Sequence, residues 1–316
     1  MPDKKVIFRR TLTAPLLVLV CYIAMALSSF IDPRELSGGE NIYLSVIVLQ
    51  MLIFLIPGII YCKLRGEETK RRLFIKGFGP RKLAFSIFAF ITTLSGAALI
   101  KLGLYAVGYT SASYTLYENY VPSNTGSLGS IIYVLVALAI LPAVTEEFVF
   151  RGIVLQEYRS AGVSRTSSLL ISSLLFAMIH FNIAQLPVYF FGGIMFGAVM
   201  MVTESLPAAV TVHLLNNAAS LFFEQQLLHL ITQTNSVIFV LFTFTVIFLL
   251  FLILTIHSAE VITYERGING DPVLFPQPSK KNKSVFKARL TEAIISPVFL
   301  LCVVAFFVIT FGVRRG

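Results

Sequence analysis

Long apolar segments separated by polar loops dominate the chain. Segments of roughly 18–25 mainly apolar residues have the length that crosses a bilayer as a helix, and they are too long and continuous for barrel strands. About nine are present, at 12–30, 42–62, 84–108, 131–156, 167–182, 186–203, 206–224, 237–256 and 291–312, of which the fifth is short. The pattern therefore predicts an all-α fold, a polytopic transmembrane helical bundle of about eight or nine spans, with residues 1–316 forming a single integral membrane domain.

Composition supports this prediction. Of the 316 residues, 56% are hydrophobic and 13% are charged, and the mean hydropathy is +0.83. Such values exclude a soluble globular domain of ordinary composition. The three cysteines, Cys21, Cys62 and Cys302, lie in or beside apolar segments without metal-ligand spacing. We interpret them as small buried hydrophobes.

The net charge of +9 arises from basic residues that alternate between loops. Four precede the first span, eight lie in 63–83, two follow the fourth span and six follow the eighth, whereas the opposite loops contain three. Basic loops remain on the cytoplasmic side of a membrane. We therefore expect a cytoplasmic N-terminus, a cytoplasmic loop 63–83, an external loop 109–127 and an external C-terminus. The partner that this charge indicates is the lipid bilayer, not nucleic acid.

Three neighbouring apolar segments contain polar groups of the kind that a bilayer core penalises. Glu146, Glu147 and Arg151 lie in the fourth segment, His180 ends the fifth, and His213 and Asn217 lie in the seventh. Such residues are rare in spans unless they serve a site. At about 1.5 Å per residue, the three sets lie at similar depths, so adjacent helices can bring them together in a site open toward the cytoplasm.

Helical spacing separates these residues by role. Glu147 and Arg151 are four residues apart and can form an ion pair, whereas Glu146 points to another face. A carboxylate buried without a partner accepts a proton readily, which suits a general base. His213 and Asn217 share a face, and Asn216 points elsewhere. Taken singly, each histidine, the asparagine or the ion pair would be read as contacts between helices, and their co-occurrence favours a catalytic site.

Three motifs resemble those of a known family. Glu146-Glu147-Phe148-Val149-Phe150-Arg151-Gly152 matches the EExxxR(G) motif of the CAAX-protease and bacteriocin-processing (CPBP, or Abi) intramembrane proteases. Residues 176–180 match the FxxxH motif of that family, and residues 213–217 match its HxxxN motif, in the same order. The resemblance covers residues 130–222, which it identifies as a protease core similar to that of type II CAAX prenyl endopeptidases.

The resemblance implies an intramembrane endopeptidase of a bacterial plasma membrane, acting on membrane-embedded or lipidated peptides or proteins. By analogy, Glu146 and His180 activate water, His213 and Asn217 stabilise the oxyanion, and Glu147 and Arg151 support the site. Two alternatives remain for the use of a metal: either the site uses none, or Glu146, His180 and His213 hold a zinc ion. The absence of an HExxH motif, and the use of Glu146 as the base, favour the metal-free reading.

Two other functions fit parts of the pattern. A non-catalytic membrane immunity or scaffold protein could bind a peptide or a membrane partner in the same cavity, but it would need neither a base nor oxyanion donors. A secondary transporter would use intramembrane carboxylates as a proton relay, but the sequence lacks the internal symmetry that many transporters show.

Overall fold

The computed structural model describes residues 4–28, 30, 42–66, 68–69, 72–108, 128–233, 237–269 and 283–312, with the side chains of 4–9, 42, 128–130, 224–225, 227–233 and 283–286 left out. The predicted external loop 109–127, much of the polar stretch 257–290 and parts of loop 63–83 lie outside these residues. Ten helices form the described chain: α1 (Lys4–Ser28), α2 (42–65), α3 (Pro80–Ala106), α4 (128–160), α5 (Arg165–Met178), α6 (Leu186–Thr203), α7 (Leu206–Gln233), α8 (Val237–Ile268), α9 (Lys283–Ile294) and α10 (Pro297–Gly312).

The all-α polytopic bundle is confirmed, and the span count needs a correction at two places. Seven of the described helices are long and apolar enough to cross a membrane, and α9 with α10 makes an eighth candidate that is bent by 48°. The fifth predicted span, 167–182, is the shorter helix α5, which ends at Met178. The motif histidine His180 therefore lies in the turn after α5 and not in a helix.

Helices α2 and α4 each contain π-helical turns, and two of these come directly before a proline. Met51–Leu55 precedes Pro57, and Val136–Ile140 precedes Pro142. Proline has no N–H and its ring crowds the preceding turn, and a wider π turn accommodates both effects without ending the helix. A third π segment, Phe148–Val154, contains the second half of the EExxxR motif.

The third π segment leaves carbonyl groups that other side chains satisfy. Ser172 Oγ on α5 donates a 2.9 Å hydrogen bond to the Phe150 carbonyl, and Gln156 Nε2 donates a 3.2 Å bond to the Arg151 carbonyl. Backbone groups in a membrane interior must find partners within the protein. The bond from Ser172 therefore also ties α5 to the part of α4 that carries the site.

One end of the bundle collects the basic residues, and we call it the basic end. Lys82 Nζ donates to the Thr203 carbonyl at 2.7 Å, and Arg266 Nη2 donates to the Val202 carbonyl at 2.6 Å. Arg65 Nη2 lies 3.1 Å from Oε2 of the buried Glu157. These contacts place the start of α3 and the ends of α2, α4, α6 and α8 at the same end.

Residues 72–79, which we call the plug, cross the basic end and cover it. Leu73 and Phe74 are buried. Leu206 N–H donates to the Phe74 carbonyl at 3.0 Å, and Ser205 Oγ donates to the Lys76 carbonyl at 2.6 Å, so the plug is fastened to the start of α7. A Cβ on Gly152 would lie 3.1 Å from Leu73, so glycine after Arg151 lets the plug approach α4 closely.

Helices α5 and α6 pack through glycines. A Cβ on Gly193 would lie 3.0–3.2 Å from atoms of Ser173 and Phe176, including 3.1 Å from the Ser173 Cα, and a Cβ on Gly197 would lie 2.3 Å from Leu169 Cδ1. Small residues permit such close approach of membrane helices. The approach also brings the Gly193 carbonyl to the EExxxR motif.

Candidate active site

The buried Glu147–Arg151 ion pair anchors the site, as helical spacing predicted. Arg151 Nη1 lies 2.7 Å from Glu147 Oε1, and both side chains are at most 1% exposed. Arg151 Nη2 donates to the Gly193 carbonyl at 2.8 Å, and the guanidinium lies 4.4 Å from the centre of the Phe176 ring. The arginine is thus fixed by an ion pair, a carbonyl and an aromatic face, which compensates for its removal from water.

His213 links the two carboxylates of the motif. Its Nδ1 lies 2.9 Å from Glu147 Oε1, and its Nε2 lies 4.0 Å from Glu146 Oε2. A carboxylate oxygen only accepts hydrogen bonds, so Nδ1 carries the proton and directs Nε2 toward Glu146. Phe196 stacks on the imidazole with ring centres 4.4 Å apart. The histidine is therefore oriented by a carboxylate on one side and by an aromatic ring on its face.

Glu146 is buried but is not without neighbours, in contrast to the expectation from helical spacing. Besides His213, Gln50 of α2 is a side-chain hydrogen-bond partner of Glu146. Thr145 Oγ1 lies 3.3 Å from Gln50 Oε1 and donates its one hydrogen to the Leu141 carbonyl at 2.9 Å, so the neighbouring side chains of α2 and α4 are packed together at Glu146. Glu146 keeps 6% of its surface accessible, whereas Glu147 keeps none. The structure thus separates an accessible carboxylate from an enclosed one.

His180 contacts the Phe176 ring edge to face, with ring centres 5.2 Å apart. Its Nδ1 lies 3.1 Å from the Phe176 carbonyl, so Nδ1 donates and Nε2 is left as an acceptor. Tyr189 stacks on the imidazole with ring centres 3.8 Å apart. No hydrogen bond or ion pair within the described part of the chain joins His180 to Glu146, and His213 is the histidine beside that carboxylate.

A cavity of about 530 Å³ brings three of the four predicted catalytic residues to one surface. His180, His213 and Asn217 line it, and Glu146 lies behind His213. Asn216, which helical geometry assigned to another face, and Lys101 of α3 also line the cavity. Most other lining residues are apolar or small: Leu94, Ala97, Ala98, Val188, Gly192, Phe196, Ala219, Phe223 and Phe244. The cavity is suited to an apolar chain segment.

The cavity is closed at the basic end, where the sequence analysis expected it to open. Along α7, Ala208, Ala209 and Val212 are fully buried and His213 is 4% exposed, whereas Phe223 is 63% exposed and Gln226 is exposed. Phe223 and Gln226 both line the cavity. Among the described residues, accessibility therefore rises from the basic end toward the opposite end. The plug and the start of α7 fill the space through which a cytoplasmic opening was expected.

Several contributors to this site had no signal in the sequence pattern. Gln50 lies in an apolar segment about a hundred residues before the first motif, and Tyr189, Phe196 and Gly193 belong to a segment without Asp, Glu, Lys, Arg or His. Only Gln50, a polar amide within an apolar segment, could have drawn attention. The carbonyl of Gly193 and the stacking of Phe196 depend on tertiary packing alone.

The donor set was tested against the zinc alternative. A catalytic zinc needs three protein ligands about 2.0–2.2 Å from one point. Among the described residues, no three His, Cys, Asp or Glu side chains are grouped closely enough to hold a metal ion. His213 Nδ1 is engaged by Glu147, and His180 Nδ1 is engaged by the Phe176 carbonyl. Glu146, His180 and His213 do not fit a three-ligand site in this arrangement, and no step below uses a metal.

The arrangement can supply the elements of acyl-group hydrolysis. Glu146 is an acceptor for a water proton, Nε2 of the oriented His213 can share that proton, and the Asn217 amide is a hydrogen-bond donor at the cavity wall. Apolar surroundings strengthen each of these interactions because water does not compete for them.

Comparison with known proteins agrees with the three motifs. Residues 127–219 match the model of the family described as type II CAAX prenyl endopeptidase Rce1-like. The membrane-embedded CAAX protease MroQ of Staphylococcus aureus (strain USA300) is 26% identical over 230 residues, which cover 67% of this chain and 90% of that protein. No solved structure matches the chain.

The matched residues contain all three motifs and the helices that place them around the cavity. Seven to eight candidate spans among the described residues make the chain an integral membrane protein. The comparisons thus agree with the resemblance seen in the motifs and support a CPBP-family protease, with a match to the type II CAAX prenyl endopeptidase Rce1-like family at residues 127–219.

Proposed function

We propose that this protein is an intramembrane endopeptidase that hydrolyses peptide bonds of membrane-embedded or lipidated peptides, with Glu146 as the general base. The observation that carries the proposal is the buried chain Arg151–Glu147–His213–Glu146 at the closed end of an apolar cavity. Each link is 2.7–4.0 Å long, and the chain ends in the carboxylate that keeps some accessible surface.

The reaction begins with a water held at the closed end of the cavity, between His213 and Glu146 on one side and the substrate carbonyl on the other. Glu146 takes one proton as the water oxygen bonds to the carbonyl carbon, and the carbonyl oxygen becomes an oxyanion. The Asn217 amide donates a hydrogen bond to that oxygen. When the carbon–nitrogen bond breaks, the proton taken from water passes to the leaving amine. Glu146 is then ionised again.

The two histidines take different parts in this proposal. The resemblance pairs His180 with Glu146 and His213 with Asn217. The contacts in this chain favour His213 as the partner of Glu146, because Glu147 fixes its Nδ1–H and its Nε2 lies 4.0 Å from Glu146 Oε2. His180, whose Nε2 is an acceptor at the cavity wall, is assigned to hold the substrate backbone or the attacking water.

Apolar lining supports a hydrophobic or lipidated substrate. Leu94, Val188, Phe223 and Phe244 come from four different helices and surround the space beside His180 and Asn217. Burial of the apolar surface of an extended segment there favours binding by about 25 cal/mol per Å². A polar soluble peptide would lose its hydration without compensation, so we expect poor turnover of such peptides.

The proposal is tested by peptide cleavage in membranes that contain the protein. Quenched fluorogenic peptides with an apolar segment, with and without a farnesyl group, serve as probes, and mass spectrometry identifies new termini. We expect cleavage by the natural sequence, none by Glu146→Gln, and normal cleavage by Glu260→Gln, which alters an exposed glutamate of α8. If Glu146→Gln retains most of the activity at normal yield, Glu146 is not the base.

A further inference from the structure

We infer that the cavity receives its substrates from the side of the membrane opposite the basic loops, so that cleavage follows translocation of the substrate segment. That the occupant is a substrate rests on the proposed endopeptidase function, whereas the side from which it enters rests on the geometry of the bundle. The class of substrate is an apolar peptide segment that has already reached the outer half of the bilayer.

The plug closes the cavity at the basic end. At the basic end, Leu206 is 6% exposed, and its N–H bonds to the Phe74 carbonyl of the plug. A second bond, from Ser205 Oγ to the Lys76 carbonyl, fastens the same segment. Buried Leu73 of the plug packs against the position of Gly152 beside the ion pair. A substrate cannot reach His213 from this end unless the plug detaches.

The cavity runs along α3 and α7 toward the end of the bundle that is remote from the plug. At about 1.5 Å per residue, His213 lies roughly 10 Å along α7 from Leu206, and Gln226 lies roughly 30 Å along it. Lys101 likewise lies roughly 30 Å along α3 from Pro80. Both Gln226 and Lys101 line the cavity. The cavity therefore extends from the middle of the bundle to the end remote from the plug.

The distribution of basic residues assigns the two ends of the cavity to the two sides of the membrane. Hydrogen bonds and ion pairs bring together basic residues of three loop regions at the end that carries the plug: Arg65, Arg72, Lys82, Arg159, Arg266 and Arg289. Loops rich in lysine and arginine remain in the cytoplasm. The closed end is then cytoplasmic, and the end that is accessible among the described residues, with Phe223 and Gln226, faces outward.

An order of events follows from this direction. A peptide made in the cytoplasm reaches an outward cavity only after a translocation or insertion reaction has placed its apolar segment in the outer half of the bilayer. A lipid-anchored substrate must likewise have its anchor in the outer leaflet. Hydrolysis then leaves one fragment free on the outer side.

Single cysteines test the direction, because Cys21, Cys62 and Cys302 are all buried and give a low background. Gln226→Cys places a thiol at the accessible end, Ser220→Cys places one deeper in the cavity, and Lys63→Cys is an exposed control at the basic end. Intact cells are treated with a membrane-impermeant maleimide. We expect Gln226→Cys and Ser220→Cys to react, Gln226→Cys faster, and Lys63→Cys to react only after lysis. Labelling of Lys63→Cys in intact cells, or no labelling of the cavity thiols in detergent, overturns the inference.

Oriented vesicles separate this inference from the proposed function. An impermeant fluorogenic peptide with charged ends around an apolar segment, which the solubilised protein cleaves, should be cleaved by right-side-out vesicles and not by sealed inside-out vesicles. Cleavage by inside-out vesicles alone overturns the outward direction while the endopeptidase function stands. If the solubilised protein cleaves no probe although the cavity thiols react from outside, the endopeptidase function fails and the outward opening stands.

Discussion

At the scale of single residues, two neighbouring glutamates have the same side chain but differ in their contacts and in their accessibility. Glu147 accepts from Arg151 and His213 through Oε1 and is completely buried, whereas Glu146 retains accessible surface and lies beside His213 and Gln50. One is a structural counterion and the other is a candidate base. Substitutions should therefore separate folding from activity.

Arg151→Ala should lower the folded yield. The change leaves Glu147 buried without its cation, and Glu147 Oε2 already has no hydrogen-bond partner among the described residues. Breaking a buried ion pair on one side costs about 3–5 kcal/mol. Yield of monodisperse protein in detergent and its thermal unfolding give the measurement.

Arg81→Ala is the matched control for that change. Arg81 pairs with Glu265, but its side chain is 74% exposed, and surface pairs contribute about 0–1 kcal/mol. A similar loss of yield in both variants would show that the buried network is not what stabilises the fold.

Asn217→Ala should lower kcat by about 10²–10³-fold with little change in KM, as expected when one oxyanion donor is removed. Asn216→Ala is the control, because Asn216 has the same side chain and lines the same cavity. We expect Asn216→Ala to affect KM at most. Equal losses of kcat in the two variants would contradict the assignment of the oxyanion donor to Asn217.

Metal removal tests the remaining chemical alternative. The described residues provide no group of three metal ligands, so we expect purified protein that has been stripped with a chelator to keep its activity. Elemental analysis of the stripped sample confirms that zinc is absent. Loss of activity that zinc alone restores would show that the ligands rearrange around a metal and would refute the metal-free hydrolysis proposed above.

At the scale of elements, the site depends on how closely α6 approaches α5 and α4. Glycine at position 193 allows that approach, and its carbonyl accepts from Arg151 at 2.8 Å. Periodicity in the sequence marked α6 as an apolar span but gave no sign that its backbone completes the arginine site. A carbonyl contact has no side-chain signature, so only the packed structure reveals it.

Gly193→Ala should destabilise the protein and reduce activity together. Its added Cβ would lie 3.1 Å from the Ser173 Cα, a backbone atom that cannot rotate away, so the helices must separate. Overpacking of this kind costs typically about 1–3 kcal/mol. Gly103→Ala, where a Cβ on α3 meets nothing within 4 Å, should be neutral or slightly stabilising because alanine favours the helix. Thermal unfolding of both variants decides, and equal stability of the two would contradict the packing argument.

The helices themselves were largely predictable from the sequence, and their details were not. Spans such as α3 and α6 follow directly from hydrophobic length, because lipid leaves the backbone few alternatives to a helix. The predicted fifth span extends four residues beyond the end of α5. Residues 179–182 alternate between apolar and polar side chains and contain neither glycine nor proline, although the chain turns at His180. The π turns before Pro57 and Pro142 are likewise invisible in a hydropathy pattern.

At the scale of the whole molecule, the sequence predicted that the motifs meet but not where their cavity opens. Depth along isolated helices gave similar levels for Glu146, His180 and His213, and His213 does contact Glu146. The opening depends on what fills each end. Residues 72–79 lie in a loop and mix four apolar residues with two basic residues and two glycines. Leu73 and Phe74 fold inward and close the basic end, a tertiary outcome that no local pattern contains.

Orientation in the membrane is the last prediction, and two equally exposed positions test it. Ile75 in the plug and Val107 after α3 are each 71% exposed and lie at opposite ends of the same helix. Other positions in these regions serve less well, because Thr69 is buried and loop 109–127 lies outside the described residues. If the basic end is cytoplasmic, an impermeant thiol reagent added to intact cells should label Val107→Cys and should label Ile75→Cys only after lysis. Because the exposed fractions are equal, a difference in labelling reports the side of the membrane and not local burial. The reverse pattern would place the plug outside and would turn the cavity toward the cytoplasm, so that the closed and accessible ends exchange sides while the contacts among Glu146, Glu147, Arg151 and His213 remain as they are.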